Sequence, residues 1–116
     1  MREPTYFTLA ALLDGPLHGY GIIKRAEQLS ESAVHMTAGT LYGALDRLSR
    51  EGLVAEEGQE IVAGRARRYY RLTDEGRSAL EAEAGRMQRA AAVVQSSNRV
   101  AASTGRSTVK PHPGLA

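Results

Sequence analysis

In the stretch "TYFTLAALLDG", apolar residues recur at Tyr6, Leu9, Ala10 and Leu13, one side of a helix, and Asp14, Gly15 and Pro16 then stop the pattern. A second amphipathic stripe follows in "LHGYGIIKRAEQLSE", carried by Ile22, Ile23, Ala26 and Leu29. Gly19 and Gly21 lie in its opening, where each lowers helix propensity by about 1 kcal/mol. They predict a close backbone approach or a tight opening turn. "MTAGTLYGALDRLSREG" is the clearest helix, with Thr37 as N-cap, Leu41, Ala44, Leu45 and Leu48 as its apolar stripe, and Gly52 at its end.

The period then changes. "LVAEEGQEIVAGRARRYYRLT" reads as two short strands, about Leu53–Glu57 and Arg67–Leu72, joined by a glycine-containing loop. In the second strand Arg68, Tyr70 and Leu72 share one face, and Tyr70 and Leu72 are expected to point into the core. "TDEG" opens a last helix, with Thr73 as N-cap and Asp74 and Glu75 in the first turn, where they suit the helix dipole. Along it Leu80, Ala84, Met87, Ala91 and Val94 recur with heptad-like spacing, a seam suited to pairing with another helix.

Three helices, a β-hairpin and a fourth helix predict a mainly α fold with a small β-hairpin, a winged helix-turn-helix plus a C-terminal dimerisation helix. The expected organisation is a DNA-binding domain over residues 1–73, a dimerisation helix over 74–96 and a disordered basic tail over 97–116. A length of 116 residues allows one modest core.

Charge matters through its distribution. The net charge is +2, and the segment from Gly64 to Thr73, "GRARRYYRLT", holds four arginines and no acid. A local patch, rather than a generally basic chain, is what a polyanion meets. The outward face of the third helix is slim near its start (Gly39, Thr40, Gly43, with Tyr42 at its flank) and cationic further on (Arg47, Arg50). A helix enters the major groove of DNA only when its leading turn is slim and polar. Thr37 and Thr40 can reach phosphates or base edges, Arg47 and Arg50 lie where the backbone runs past, and Arg65, Arg67 and Arg68 on the hairpin supply a second contact.

Other chemistries find little support. The chain has no cysteine, which excludes disulfides, thiol nucleophiles and thiolate-bound zinc. His18, His35 and His112 have no metal-ligand spacing, and no Ser/His/Asp set or phosphate loop is present, so no catalytic residue, metal or cofactor is expected. His18 reads as an imidazole hydrogen-bonded to backbone between the first two helices. The N-terminal apolar run is too short to cross a bilayer and is bracketed by Glu3 and Asp14, so a cytoplasmic protein without membrane contact is expected.

The segments "GPLHGYGI", "AGTLYGALDRLSREGLV" and "GRARRYYRLTDEG" resemble the PadR family of transcriptional regulators, over about Leu9 to Leu80. Gly43 stands where family members often have Pro after "LY", and Arg65 follows Gly64 where they often have Gly-Pro. The short last helix resembles the smaller of the family's size classes. The resemblance implies a homodimeric repressor on operator DNA and places function on Tyr20, Lys24, Thr40, Tyr42 and the wing arginines. Two-fold symmetry would set the recognition helices about one DNA turn apart, on a palindromic operator. It also raises a small-molecule effector, for which Tyr6, Phe7, Met87 and Val94 are the lining candidates in a chain with one Phe and no Trp. The competing reading is a winged-helix protein-interaction module without sequence-specific DNA binding.

Overall fold

Pro4 lacks the N–H that a first helical turn leaves unpaired, and it sits in the opening turn of α1 (Glu3–Ala11) in the computed structural model, which describes residues 1–103. Thr8 is fully buried on this helix, and its hydroxyl donates to the Pro4 carbonyl at 2.7 Å. The core takes Leu9 and Leu12 rather than the expected Leu9 and Leu13, and Leu13 is exposed. The reason is a tightened last turn. The N–H groups of Leu12 and Leu13 bond to the carbonyls of Leu9 and Ala10, three residues back, which brings Leu12 beneath Leu9.

Leu17 and His18, expected as the opening of the second helix, form instead a two-residue strand, β1 (Leu17–His18), paired antiparallel with Tyr70 and Tyr69. α2 (Gly19–Leu29) follows at once, because His18 is its N-cap: Nδ1 accepts the Gly21 N–H at 3.1 Å. The close approach expected of the paired glycines exists at Gly19, where a Cβ would run into the Tyr42 side chain.

α3 (Ala38–Arg50) starts at Thr37, whose hydroxyl accepts the Thr40 N–H at 3.1 Å. Leu41, Leu45 and Leu48 bury one face against Leu9, Leu12 and Ile22, and these six side chains are the centre of the core. Val54, Tyr70 and Leu80 close it from the hairpin and the last helix.

The hairpin is longer than its apolar pattern predicts: β2 (Val54–Val62) and β3 (Arg65–Leu72), in a sheet of order β1-β3-β2. Ala63 and Gly64 alone connect the strands, both with positive φ (52° and 77°), the backbone that matches strand twist in a two-residue turn. The register slips once, between Glu56 opposite Tyr70 and Gly58 opposite Tyr69, leaving Glu57 as the extra residue of a bulge. Beyond that bulge β2 is exposed on both faces up to Ile61, so no alternation marks it as strand.

α4 (Asp74–Ser103) begins at Thr73 and runs past the expected end at residue 96. The rest of the expected tail, residues 104–116, lies outside the described residues. The chain divides into two units, Met1–Glu83 and Ala84–Ala116. In the first, the Thr73 hydroxyl donates to the Gly52 carbonyl at 2.6 Å and accepts the Gly76 N–H at 2.9 Å. Gly76 packs so closely that a Cβ there would fall on the Leu53 carbonyl oxygen.

Two substitutions probe these arrangements. Gly76→Ala forces backbone apart at the junction of hairpin and α4 and should lower unfolding stability by about 2–3 kcal/mol. Chemical denaturation measures it, and an unmoved midpoint would show that the junction yields freely. The second concerns His18, whose pKa is lowered, first by burial, then by the positive Arg67, with Glu60 opposing. The folded state therefore resists a proton that the unfolded chain accepts. This contribution is complete above the ordinary imidazole range and is lost as pH falls through the lowered folded value. Stability should fall as pH drops through the imidazole range, and His18→Asn, which retains a capping oxygen, should flatten that fall.

Candidate nucleic-acid interface

α3 presents Ala38, Gly39, Thr40 and Gly43 to solvent. A Cβ on Gly39 or Gly43 would meet nothing within 4 Å, so no neighbour in the protomer requires a glycine at either place. Both threonine hydroxyls are at the helix start: Thr37 is occupied as the cap, and its oxygen lies 3.0 Å from that of Thr40. Tyr42 is half-exposed, its hydroxyl end against Gly19. Further along the helix the two cations are tied to the protein. Arg47 donates to the Thr5 hydroxyl on α1 at 2.9 Å, and Arg50 pairs with Asp46 at 2.6 Å, one turn earlier.

On the hairpin the arginine-rich strand does not stand alone. Antiparallel pairing sets it against the acids of β2. Arg67 Nη1 lies 3.8 Å from Glu60 Oε1, Arg68 Nε 3.7 Å from Glu56 Oε1, and Arg71 Nε 3.2 Å from Glu57 Oε1. Four arginines and three glutamates leave the arm with a net charge of about +1, far less than β3 alone suggests. Among the described residues, Arg65 beside the turn has no ion-pair partner within 4.0 Å. All three pairs are solvent-exposed in large part, a setting in which an ion pair contributes about 1 kcal/mol or less. The guanidinium groups are therefore held lightly and can exchange a carboxylate for another anion.

α2, α3 and the hairpin meet around an open cleft of about 470 Å³, with Tyr20, Tyr42, Arg65, Arg67 and Arg68 on its walls and His18 and Gly19 at its floor. Tyr20 is 66% exposed, and the Lys24 ammonium lies 5.7 Å from its ring centroid, within cation–π range. The structure thus brings together Tyr20, Tyr42 and the wing arginines of the expected set around this cleft, with Lys24 outside it on the far side of Tyr20. Arg47 and Arg50 do not line this cleft.

Sequence reasoning missed Tyr69 and its partner. Tyr69 donates its hydroxyl to Glu60 at 2.7 Å and meets the His18 ring edge-on at 5.5 Å. Neither contact is readable without the strand register, which the bulge at Glu57 shifts by one residue. Of the residues expected to form a dimerisation seam, Leu80 is buried in the chain's own core, and Ala84 is half-buried. In the second unit Met87, Ala91 and Val94 are exposed, with Val93 beside them. Among the described residues no cluster of metal-ligating side chains occurs, and no helix is long and apolar enough to cross a membrane.

Comparison with known proteins bears on this arrangement. The transcriptional regulator PadR-like family matches residues 8–82. The transcriptional regulator Rv3488 of Mycobacterium tuberculosis is 43% identical over 67 residues, 58% of this chain and 59% of that protein. An uncharacterized 37.1 kDa protein in a Streptomyces fradiae transposon is 44% identical over 76% of this chain, which spans only 24% of its length. A PadR family transcriptional regulator from Eggerthella lenta superposes with a TM-score of 0.65 at 29% identity, over 79% of this chain and 78% of that one. Bacillus subtilis PadR, solved in complex with operator DNA, gives a TM-score of 0.60 at 26% identity, over 69% of this chain and 45% of that one. With a family match across most of the winged fold, the chain belongs to the PadR-like family, a family of transcriptional regulators and not of enzymes.

Proposed function

We propose that this chain is a homodimeric transcriptional repressor that binds a palindromic operator, with α3 in the major groove and the wing on phosphates or an adjacent minor groove. One observation carries the reading: the open Gly39–Thr40–Gly43 face of α3 and the arginine-bearing hairpin belong to the same compact unit, with Tyr42 and the wing arginines around one cleft. A slim leading turn lets backbone approach base edges, and the arginines supply the charge for phosphate. The operator complex of the Bacillus subtilis relative supports the same use of the fold.

In this reading Met87, Ala91 and Val94 pair with a second copy, because their exposure leaves an apolar stripe that one protomer does not cover. Leu80 drops out of that interface, being spent on the protomer's core. Two-fold pairing then presents two α3 helices to half-sites about 34–36 Å apart. Regulation by a small-molecule effector would draw on Tyr6 and Phe7, which pack edge-to-face at 5.2 Å on α1.

Replacing Arg65, Arg67 and Arg68 together with alanine should weaken duplex binding and flatten its salt dependence, by about 0.9 in logarithmic slope for each phosphate that is no longer neutralised. Unchanged affinity would remove the wing from the mechanism. Thr40→Ala should reduce discrimination between a selected operator and random duplex by about 1–2 kcal/mol while leaving random binding nearly intact. Operator selection from a random pool supplies the probe, and a selected site without two-fold symmetry would rule out the dimeric arrangement. No mobility shift on duplex DNA at low salt would favour the protein-interaction module instead.

A further inference from the structure

The Tyr69 hydroxyl, as a hydrogen-bond donor, and the Arg67 guanidinium, as an ion-pair partner, converge on a single oxygen. Glu60 Oε1 lies 2.7 Å from the Tyr69 hydroxyl and 3.8 Å from Arg67 Nη1. The phenol is not loosely placed. Tyr69 is braced edge-on against His18, which in turn caps α2, so the hydroxyl aimed at Glu60 is fixed from the helical core outward. Opposing register keeps Glu60 directly across from Arg67, and Glu56, opposite Tyr70, reaches Arg68 diagonally past the bulge. One anionic oxygen held by a guanidinium and a phenol is the arrangement a phosphate oxygen would take up at the same two donors.

We propose that Glu60, with Glu56 further along β2, is a built-in competitor for phosphate: the two carboxylates occupy Arg67, Tyr69 and Arg68 until backbone phosphates of a correctly seated duplex displace them. The inference rests on the proposed DNA-binding reading and adds Tyr69 to the phosphate contacts and Glu56 and Glu60 to the residues that set specificity.

The physical consequence is selective. On random DNA, where α3 makes no base contacts to hold the wing in register, phosphates must compete with carboxylates already in place, and the same carboxylates repel the duplex. On an operator, α3 fixes the wing against particular phosphates, and the exchange is driven by the whole interface. The glutamates thus weaken adhesive binding more than seated binding. Exposed ion pairs of this kind are weak enough to exchange, each equivalent to about two- to fivefold in an equilibrium constant. A buried pair would lock the arginines away, and an arm without acids would hold to any duplex.

The experiment compares the full chain with Glu56→Gln/Glu60→Gln, in which glutamine keeps the size and an acceptor for Tyr69. Fluorescence anisotropy reports affinity for a random-sequence duplex and for an operator selected on the wild type, at several salt concentrations. The double variant should bind random duplex about tenfold more tightly and operator by a smaller factor, so the specificity ratio falls. Glu75→Gln/Glu81→Gln, an equal charge change on α4 outside the wing, should leave the ratio unchanged. Tyr69→Phe in the wild-type background should weaken operator binding while circular dichroism shows an intact fold. A specificity ratio in the double variant equal to that of the wild type overturns the proposal while the DNA-binding reading stands. An equal fall in the Glu75→Gln/Glu81→Gln protein overturns it as well, since overall charge would then suffice. Absence of wild-type binding to any duplex at low salt overturns both.

Discussion

Thr73 ties three elements at one point. Its N–H donates to the Leu53 carbonyl, its hydroxyl donates to the Gly52 carbonyl, and the same oxygen accepts the N–H of Gly76. Leu53 in turn donates its N–H to the Leu48 carbonyl in the last turn of α3. The end of α3, the base of both hairpin strands and the start of α4 are therefore held by four hydrogen bonds within a few residues. Gly76 lets that junction close, because any side chain there would meet the Leu53 carbonyl. Whatever α3 and the wing do together, their relative placement is set here, since the distal hairpin has almost no core contact of its own. Val54 and Tyr70 are its buried anchors, and Leu53 and Leu72 pack at the rim.

An arm anchored only at its base has to keep its strands paired by other means. The two-residue turn supplies twist, and cross-strand ion pairs supply register. Glu57–Arg71 at 3.2 Å, Glu56–Arg68 and Glu60–Arg67 recur along the arm, each modest, together favouring one alignment over a slipped one. A slip by one residue would move Tyr70 from the core to solvent. The same acids lower the arm's net charge, so the features that specify its pairing also moderate its attraction to polyanions. Structural and electrostatic roles are thus carried by the same three glutamates.

The helices were legible because their apolar residues recur at helical spacing against one core: Ile22, Ala26, Leu41, Leu45 and Leu48 are buried where the periodicity puts them. The caps at Thr37 and Thr73 were legible too, since a hydroxyl before an acidic or small first turn has few other uses. What failed did so for local reasons. Leu13 lost its place to Leu12 because α1 ends in a three-residue turn, which shifts the face by one position. β1 is two residues long and owes its existence to Tyr69 and Tyr70, far along the chain. β2 was cut short because a strand wetted on both faces has no period to read. The arginines of β3 were legible as charge, but not their partners, because the bulge at Glu57 alters which acid faces which base.

Gly39 and Gly43 present a separate physical question. Each costs a helix about 1 kcal/mol relative to alanine, and neither is compensated by a close neighbour, unlike Gly19 against Tyr42 or Gly76 against Leu53. Thr37 capping and the burial of Leu41, Leu45 and Leu48 offset the cost, so the fold tolerates these glycines without needing them. A local rule broken with no gain inside the protomer points to a constraint outside it. For a helix whose outer face is slim, polar and beside a cationic arm, the proposed DNA-binding reading supplies that constraint as the close approach of a groove floor, which leaves little room for a Cβ. The destabilising choice and the proposed docking face coincide on the same turn of α3.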